Sequence, residues 1–566
     1  MAMTGVELLL DMLASQGVRY IFGNPGTTEL PLNDALAVDD RFRYILGLQE
    51  VPVMAIADGY SMASGQLGVI NLHICCGLGN AMGMLYNAYR EGTPLLVTAG
   101  QQDRRLLFEE PILAGEMTAV AKPWTKWSVE VQRVEDLPSA IRRAIQIALT
   151  PPTGPVFLSL PVDLQMEITE TLPQADFHLP DPHVRPAQAA LEKAADLLAA
   201  ASSPALLVGS RVMEAEGVDA LVALAESLGA VVISESGTTH GRLAFPCDHP
   251  LYSQGLPLWS PQVHERLSAF DVVFVAGMDM FRQYIYHEPQ CPIPEQVKLI
   301  HLDEDPWQLG KNYPLDVALL GHTRTGLESL VPLVQDRQDE QQRSAVAERT
   351  ARITAEHQAA RDALRAEIDS QRDQSPLTPL CTMDAIARVL PENAAVVEEA
   401  VTTTNTTLER LGAIKSTSGY FGHRGWALGW GLGVTIGAQL AWPDRPVLGI
   451  LGEGAATYGI QGLWTAAREK IPATFVICNN AQYHILKLCA RTMNLPQAEQ
   501  GEFEGLDIIG PEIDFVGLAQ SLGVEARRVE TADQLSDELA AQFNNDRPLL
   551  LDVPIARGVG ERLNYG

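Results

Sequence analysis

Two segments in the C-terminal third place oxygen-bearing side chains at the ends of apolar runs. Val447-Leu-Gly-Ile-Leu leads into Gly452-Glu453-Gly454, and a second apolar run over 474–478 ends in Asn479-Asn480. The Glu453 carboxylate and the Asn480 amide are 27 positions apart, room for one helix between two strands. If the strands are neighbours in a parallel sheet, both side chains emerge at its carboxyl edge, where such sheets bind ligands. A hard divalent cation prefers oxygen ligands of this kind and completes its shell with phosphate oxygens. Flanking glycines let backbone N–H groups approach a phosphate at a helix N-terminus. Alone, the Gly-Glu-Gly turn serves equally well as a plain strand-to-helix connection.

Other chemistry-bearing side chains lie in the first hundred residues. Glu50, in Leu48-Gln-Glu-Val-Pro, opens a helix and is either a simple N-terminal acid or an acid–base group. His73 closes the apolar run 69–72, where an imidazole is either structural or a proton carrier near neutral pH. The seven cysteines are odd in number and show no paired C-x-x-C spacing, so they read as reduced core residues rather than metal ligands.

These groups need scaffolds. Apolar runs over 20–22, 69–72, 95–98 and 156–160 alternate with helical or loop stretches. A second series covers 205–208, 231–234, 272–276 and 298–302, and a third covers 395–397, 447–450, 474–478 and 549–553. Short buried strands alternating with helices predict an α/β protein of three doubly wound parallel-sheet domains. The expected boundaries are 1–180, 185–335 and 376–566, with an Ala-, Arg-, Glu- and Gln-rich helical linker over 336–375. Thr4, with Glu7 three residues on, caps the first helix.

The 566 residues carry a formal net charge of −29, which argues against nucleic acid or an anionic membrane surface as a partner. The N-terminus has no basic region followed by an apolar stretch, and no apolar run is long enough to span a bilayer. A cytoplasmic location is expected.

The motifs together resemble a known family. Gly452-Glu453-Gly454 followed by Asn479-Asn480 is similar to the thiamine diphosphate motif. The segments Phe22-Gly-Asn-Pro-Gly-Thr-Thr-Glu-Leu-Pro31, Arg43-Tyr-Ile-Leu-Gly-Leu-Gln-Glu50, Ile56-Ala-Asp-Gly-Tyr60, Ile70-Asn-Leu-His73 and Leu96-Val-Thr-Ala-Gly-Gln-Gln102 resemble the benzoylformate decarboxylases. Acetolactate synthases and benzaldehyde lyase belong to the same superfamily.

The resemblance implies roles. Glu50 matches the carboxylate that hydrogen-bonds the cofactor's aminopyrimidine, and Glu453, Asn480 and Gln482 match the ligands of magnesium or calcium. Leu428 falls where an apolar side chain lies beneath the cofactor, and the Trp426 carbonyl would accept from the pyrimidine amino group. Thr402, Thr403, Thr404, Gly452, Gly454, Ala455 and Tyr483 fall around the diphosphate. His73, Thr27 and Gln101 match groups that face the substrate. Tyr284 or His287, in Phe281-Arg-Gln-Tyr-Ile-Tyr-His287, occupies the region of a second histidine, and Ile485, Leu486 and Cys489 line the pocket.

This chain also departs from the pattern. Glu453 replaces an aspartate, Ala455 a hydroxyl residue, and Cys489 an aromatic, while His484 and Ile485 are bulkier than their counterparts. The middle unit carries Val208-Gly-Ser-Arg211 rather than a glycine-rich dinucleotide loop, so FAD is not expected. The expected activity is decarboxylation of a 2-oxo acid to an aldehyde and carbon dioxide. The alternatives are a carboligase or lyase, and a non-catalytic relative. The resemblance further implies that Glu50 and Glu453 of one site come from different chains, making at least a homodimer and in its closed form a homotetramer.

Overall fold

The computed structural model describes residues 2–170, 173, 177–235, 241–281, 283–288 and 291–558. Its first parallel sheet comprises β1 (Tyr20–Asn24), β2 (Arg43–Leu46), β3 (Gly68–Leu72), β4 (Leu95–Gln101), β5 (Trp127–Glu130) and β6 (Val156–Pro161), in the order β2-β1-β3-β4-β6-β5. The middle sheet comprises β7 (Pro204–Val208), β8 (Val231–Ser234), β9 (Tyr252–Ser253), β10 (Val272–Ala276), β11 (Lys298–Asp303) and β12 (Val317–Leu320), ordered β9-β8-β7-β10-β11-β12. The third comprises β13 (Ala395–Glu399), β14 (Tyr420–Phe421), β15 (Val447–Gly452), β16 (Thr474–Asn479), β17 (Glu525–Arg528) and β18 (Leu549–Pro554), ordered β14-β13-β15-β16-β18-β17.

The two outer sheets thus share one topology, while the middle sheet has the order of dinucleotide-binding folds. Inner strands such as β3, β7 and β13 are buried at every residue, as helices on both faces of a parallel sheet require. The helix Glu340–Gln371 runs between the middle and third sheets and buries only Ile353, Leu364 and Ile368. Its exposed face accounts for its polar composition.

Two helices of the first unit matter for the site: α1 (Glu50–Ser64) and α2 (Ile74–Glu91). Two more belong to the third: α3 (Trp430–Ala441) and α4 (Glu453–Gly459). Helix α1 lies directly along α3 of the same chain. A Cβ on Gly437 would sit 2.0 Å from the Ile56 carbonyl oxygen, and one on Gly433 would sit 2.4 Å from the Ala55 Cβ. Only glycine permits this approach. Among the described residues, no helix is long and apolar enough to cross a membrane.

Candidate active site

The turn after β1 and the starts of α1 and α2 converge on one pocket of the first unit. Glu50 is the first residue of α1 and is buried. Its Oε2 accepts from Asn80 Nδ2 at 3.0 Å and its Oε1 from Asn24 Nδ2 at 3.4 Å. His73 is the N-cap of α2. Glu50 Oε1 and His73 Cβ lie 3.3 and 3.4 Å from the point where a Cβ on Gly77 would stand, so the absent side chain keeps carboxylate and imidazole neighbours.

The His73 ring is held by Glu29, which the sequence left without a role. Glu29 Oε2 is 2.8 Å from His73 Nδ1, and the Glu29 side chain is fully buried. The same carboxylate accepts from Gly26 N–H at 3.0 Å, Gly100 N–H at 2.8 Å and the Thr28 hydroxyl at 2.7 Å. An anionic partner at Nδ1 fixes a proton there and leaves Nε2 for chemistry. The available signal was spacing: Glu29 lies three residues beyond Gly26, the offset of a reciprocal N-terminal cap.

Two other residues expected on the substrate side make no hydrogen bond to the Glu29–His73 pair. Thr27 is exposed at the start of the short turn Thr27–Glu29, and it is Thr28 whose hydroxyl lies 3.4 Å from His73 Nδ1. Gln101 is buried, and its amide donates to the Gly115 carbonyl at 2.9 Å and Glu130 Oε2 at 3.2 Å, so it is engaged away from His73.

The third unit brings its loop Trp426–Gly431 against this pocket. Val51 Cγ1 lies 3.2 Å from where a Cβ on Gly429 would be, placing Glu50 beside the Leu428 segment. Through these faces the first and third units of the chain meet. The loop is strained at Trp426, a bulky residue at φ +66°, and turns again at Gly429, where φ of +95° is open to glycine. It is held throughout. Trp426 N–H donates to His423 Nδ1 at 3.1 Å, and Glu399 accepts from the N–H groups of Gly429, Trp430 and Gly431 at 3.0, 3.2 and 2.8 Å. Burial pushes the Glu399 carboxyl up to about 7, against the lowering effect of those three donors.

The motif residues at the ends of β15 and β16 also converge. The Gln482 N–H lies 2.9 Å from Glu453 Oε1 and 3.1 Å from Asn480 Oδ1, so both oxygens face one side. Glu453 and Asn480 are buried, and burial raises the Glu453 carboxyl above its ordinary range. A buried carboxylate and carboxamide oxygen brought together at neighbouring strand ends fit a hard divalent ion. The Gln482 side-chain oxygen is taken by Lys487 Nζ at 2.8 Å, leaving the Gln482 backbone carbonyl as the oxygen it can offer. Gly452 is the N-cap of α4, which starts with Glu453, Gly454 and the buried Ala455, and a Cβ on Gly454 would strike the Tyr483 ring at 2.6 Å. Thr402 and Thr403 lie on the short helix Val401–Thr404 after β13, Thr403 being buried.

An aromatic wall joins the middle and third units. Tyr284 meets Trp426 edge-on, with ring centroids 5.2 Å apart, and Trp259 at 6.3 Å. His287 packs on Trp259 at 5.3 Å, and its Nδ1 lies 3.1 Å from the Ile285 carbonyl oxygen. Of the two candidates in this segment, Tyr284 reaches the loop. Ile485 and Cys489 pack into the same cluster with Leu258, while Leu486 is exposed. In the middle sheet, the crevice between β7 and β10 holds a different set. There Arg211 pairs with Asp303 at 2.6 Å and Asp279 at 3.0 Å.

Three doubly wound units, with a buried carboxylate and a held imidazole on the first and clustered oxygen-bearing strand ends on the third, give the frame of a cofactor-dependent enzyme. Residues 3–114 match the thiamine pyrophosphate enzyme N-terminal TPP binding domain, 191–330 the central domain, and 401–553 the C-terminal TPP binding domain. The chain belongs to the thiamine pyrophosphate enzymes, as a thiamine diphosphate-dependent lyase or carboligase. It is 35% identical to a benzoylformate decarboxylase of Pseudomonas aeruginosa, over 96% of this chain and 97% of the relative. It is 27% identical to a probable acetolactate synthase large subunit of Methanocaldococcus jannaschii, over 98% and 92%. Among solved structures, the thiamine diphosphate-dependent 4-hydroxybenzoylformate decarboxylase of Rhodococcus jostii superposes with a TM-score of 0.84 at 30% identity, covering 99% of this chain and 100% of that one. The benzoylformate decarboxylase of Polynucleobacter necessarius gives 0.86 at 28%, covering 99% of each.

Proposed function

We propose that this protein decarboxylates a 2-oxo acid with an apolar, aryl-sized side chain, releasing the aldehyde. The observation that carries it is His73, held by the buried Glu29 carboxylate next to Glu50: a proton donor kept in one orientation beside the group that would activate the cofactor. When bound, thiamine diphosphate supplies the carbon that adds to the substrate carbonyl and takes up the electron pair left by carbon dioxide.

The chain's own groups do the rest. Glu50 would hydrogen-bond the aminopyrimidine ring, and the Trp426 carbonyl would accept from its amino group. Glu453 and Asn480 side-chain oxygens and the Gln482 carbonyl would hold magnesium, which in turn binds the diphosphate. Thr402 and the first N–H groups of α4 would face the diphosphate, with Leu428 under the cofactor. His73 Nε2 would deliver the proton that releases the aldehyde. Trp259, Tyr284, Trp426, Ile485 and Cys489 offer an apolar surface that suits an aryl group. Carboxylates at Asp279 and Asp303 around Arg211 oppose a dinucleotide diphosphate in the middle crevice, consistent with an enzyme that does not use FAD.

The seven cysteines are free, which suits a reducing cytoplasm. An assembly of at least two chains, and a homotetramer in full, is supported by exposed apolar side chains in one segment of the first unit. Phe108 is 98% exposed and Ile112 82%, with Leu106 and Val120 close in sequence. Sedimentation of the holoenzyme tests that assembly. For the substrate, kcat/KM across matched aryl and short alkyl 2-oxo acids is the test: preference for aryl acids supports the proposal, and preference for the alkyl series contradicts it.

A further inference from the structure

Helix α2 carries polar side chains along one face, from the partly buried His73 to the buried Asn87 and Glu91, and each addresses a different part of the site. His73 caps it. Asn80 donates to Glu50 Oε2 at 3.0 Å. Asn87, seven residues on and fully buried, grips Ala427 by both backbone groups: its Oδ1 accepts from Ala427 N–H at 3.0 Å and its Nδ2 donates to the Ala427 carbonyl at 2.8 Å. At the last turn, Glu91 Oε1 accepts from Arg424 N–H. Seven residues are two helical turns, about 10 Å of rise at 1.5 Å per residue. The helix therefore sets one fixed offset between Glu50 and the strained Trp426–Gly431 loop.

Two first-unit side chains hold that loop: Asn87 grips its start by the Ala427 backbone, and Asp58 of α1 accepts from the Trp430 indole N–H at 2.8 Å near its end. His423 and Glu399 hold the loop from within the third unit. Around Asn87 the packing leaves no slack: a Cβ on Gly425 would sit 2.2 Å from its Oδ1, and one on Gly83 would sit 3.7 Å from the Ala427 Cβ. Among the described residues the Trp426 carbonyl, one peptide before Ala427, accepts no hydrogen bond within the chain. We propose that Asn87 is a positioning residue that aims the Trp426 carbonyl opposite Glu50, so that the aminopyrimidine is gripped on two edges by groups from two units. The proposal rests on the cofactor assignment above. Asn87 itself touches neither cofactor nor substrate.

The test separates the pyrimidine end of the cofactor from its diphosphate end. Binding of thiamine diphosphate and of inorganic pyrophosphate, each with magnesium, is measured on the full chain as wild type, Asn87→Ala and Asn87→Asp. Both variants should bind thiamine diphosphate about tenfold or more weakly, because the clamp on the loop is broken. Their pyrophosphate affinity should stay within about twofold of wild type, and turnover at saturating cofactor should fall with the substrate KM unchanged. Wild-type affinity for thiamine diphosphate, or equal losses for both ligands, would overturn the proposal, the second marking Asn87 as a packing residue only. If Asn87→Ala shows no cooperative melt, Asn87→Asp, which keeps the acceptor for Ala427 N–H, is judged by the same comparison. A wild-type protein that fails to bind thiamine diphosphate would defeat the cofactor assignment itself, and the proposal with it.

Discussion

Glu29 and His73 form a carboxylate–imidazole pair, Oε2 to Nδ1 at 2.8 Å, with the carboxylate fully buried and accepting from the backbone N–H groups of Gly26, Ile74 and Gly100 as well. In the proposed function, the pair fixes which ring nitrogen faces the substrate. Glu29→Gln should therefore lower kcat by about 10- to 100-fold while cofactor binding is unchanged, and His73→Ala should lower it by about 100-fold or more. Steady-state turnover with cofactor titration checks both. Unaltered kcat in Glu29→Gln would show that the ring needs no such partner.

Glu50 is tested in a different way. The Gln replacement keeps the shape and the donors Asn24 and Asn80 close by, but removes the charge that stabilises a protonated ring nitrogen. Turnover should fall by about 10² to 10⁴, the usual range for losing an acid–base group, with thiamine diphosphate still retained. Calorimetry and single-turnover rates on the same sample give both quantities. Wild-type rates would remove Glu50 from the chemistry.

At the proposed cation site, Glu453→Ala should abolish magnesium-dependent cofactor binding, since only the Asn480 and Gln482 oxygens would remain. Glu453→Asp pulls the carboxylate back by one methylene from a position set by Gln482 N–H at 2.9 Å. It should retain binding at about tenfold lower metal affinity. Metal titrations followed by cofactor retention on a desalting column distinguish the three proteins. Unchanged affinity in the Ala variant would place the metal elsewhere.

His423 predicts a pH signature of stability. Burial pushes its imidazole down to about 4 from the ordinary 6.5, and Nδ1 accepts from Trp426 N–H. The unfolded chain takes the proton near 6.5, the folded chain only near 4. Stability from the neutral ring is complete above about 6.5 and declines as pH falls towards 4, by on the order of 3 kcal/mol in all. Urea melts of wild type and His423→Gln between pH 8 and 4.5 should show the wild type losing this extra stability and the variant not. Parallel curves would mean that the ring protonates freely in the fold.

The inner strands were legible in the sequence, and the edge strands were not. All twelve apolar runs picked out by pattern became the inner four strands of their sheets, because a strand covered on both faces is apolar throughout. The six edge strands carry weaker signals. Glu525-Ala-Arg-Arg in β17 exposes three of its four residues, and β14 is only two residues long. In the site, motif residues such as Glu453 and Asn480 were readable from spacing because strand ends fix their positions. Asn87, Glu399, His423 and Glu29 were not. Asn87 and Glu399 act through backbone groups of segments distant in sequence, 340 positions away for Asn87 and Ala427. Glu29 reaches Gly100 and His73 beyond its local cap, while His423 meets Trp426 only three residues on, inside a loop of irregular shape. No local pattern encodes these contacts.

The most direct measurement is the stoichiometry of carbon dioxide and aldehyde from an aryl 2-oxo acid, with thiamine diphosphate and magnesium added together and then separately withheld. One aldehyde per carbon dioxide, with release lost when either addition is withheld, is the predicted result. Carbon dioxide accompanied by a hydroxyketone in place of the aldehyde, or no release from the cofactor-loaded protein, would contradict the assignment as a decarboxylase.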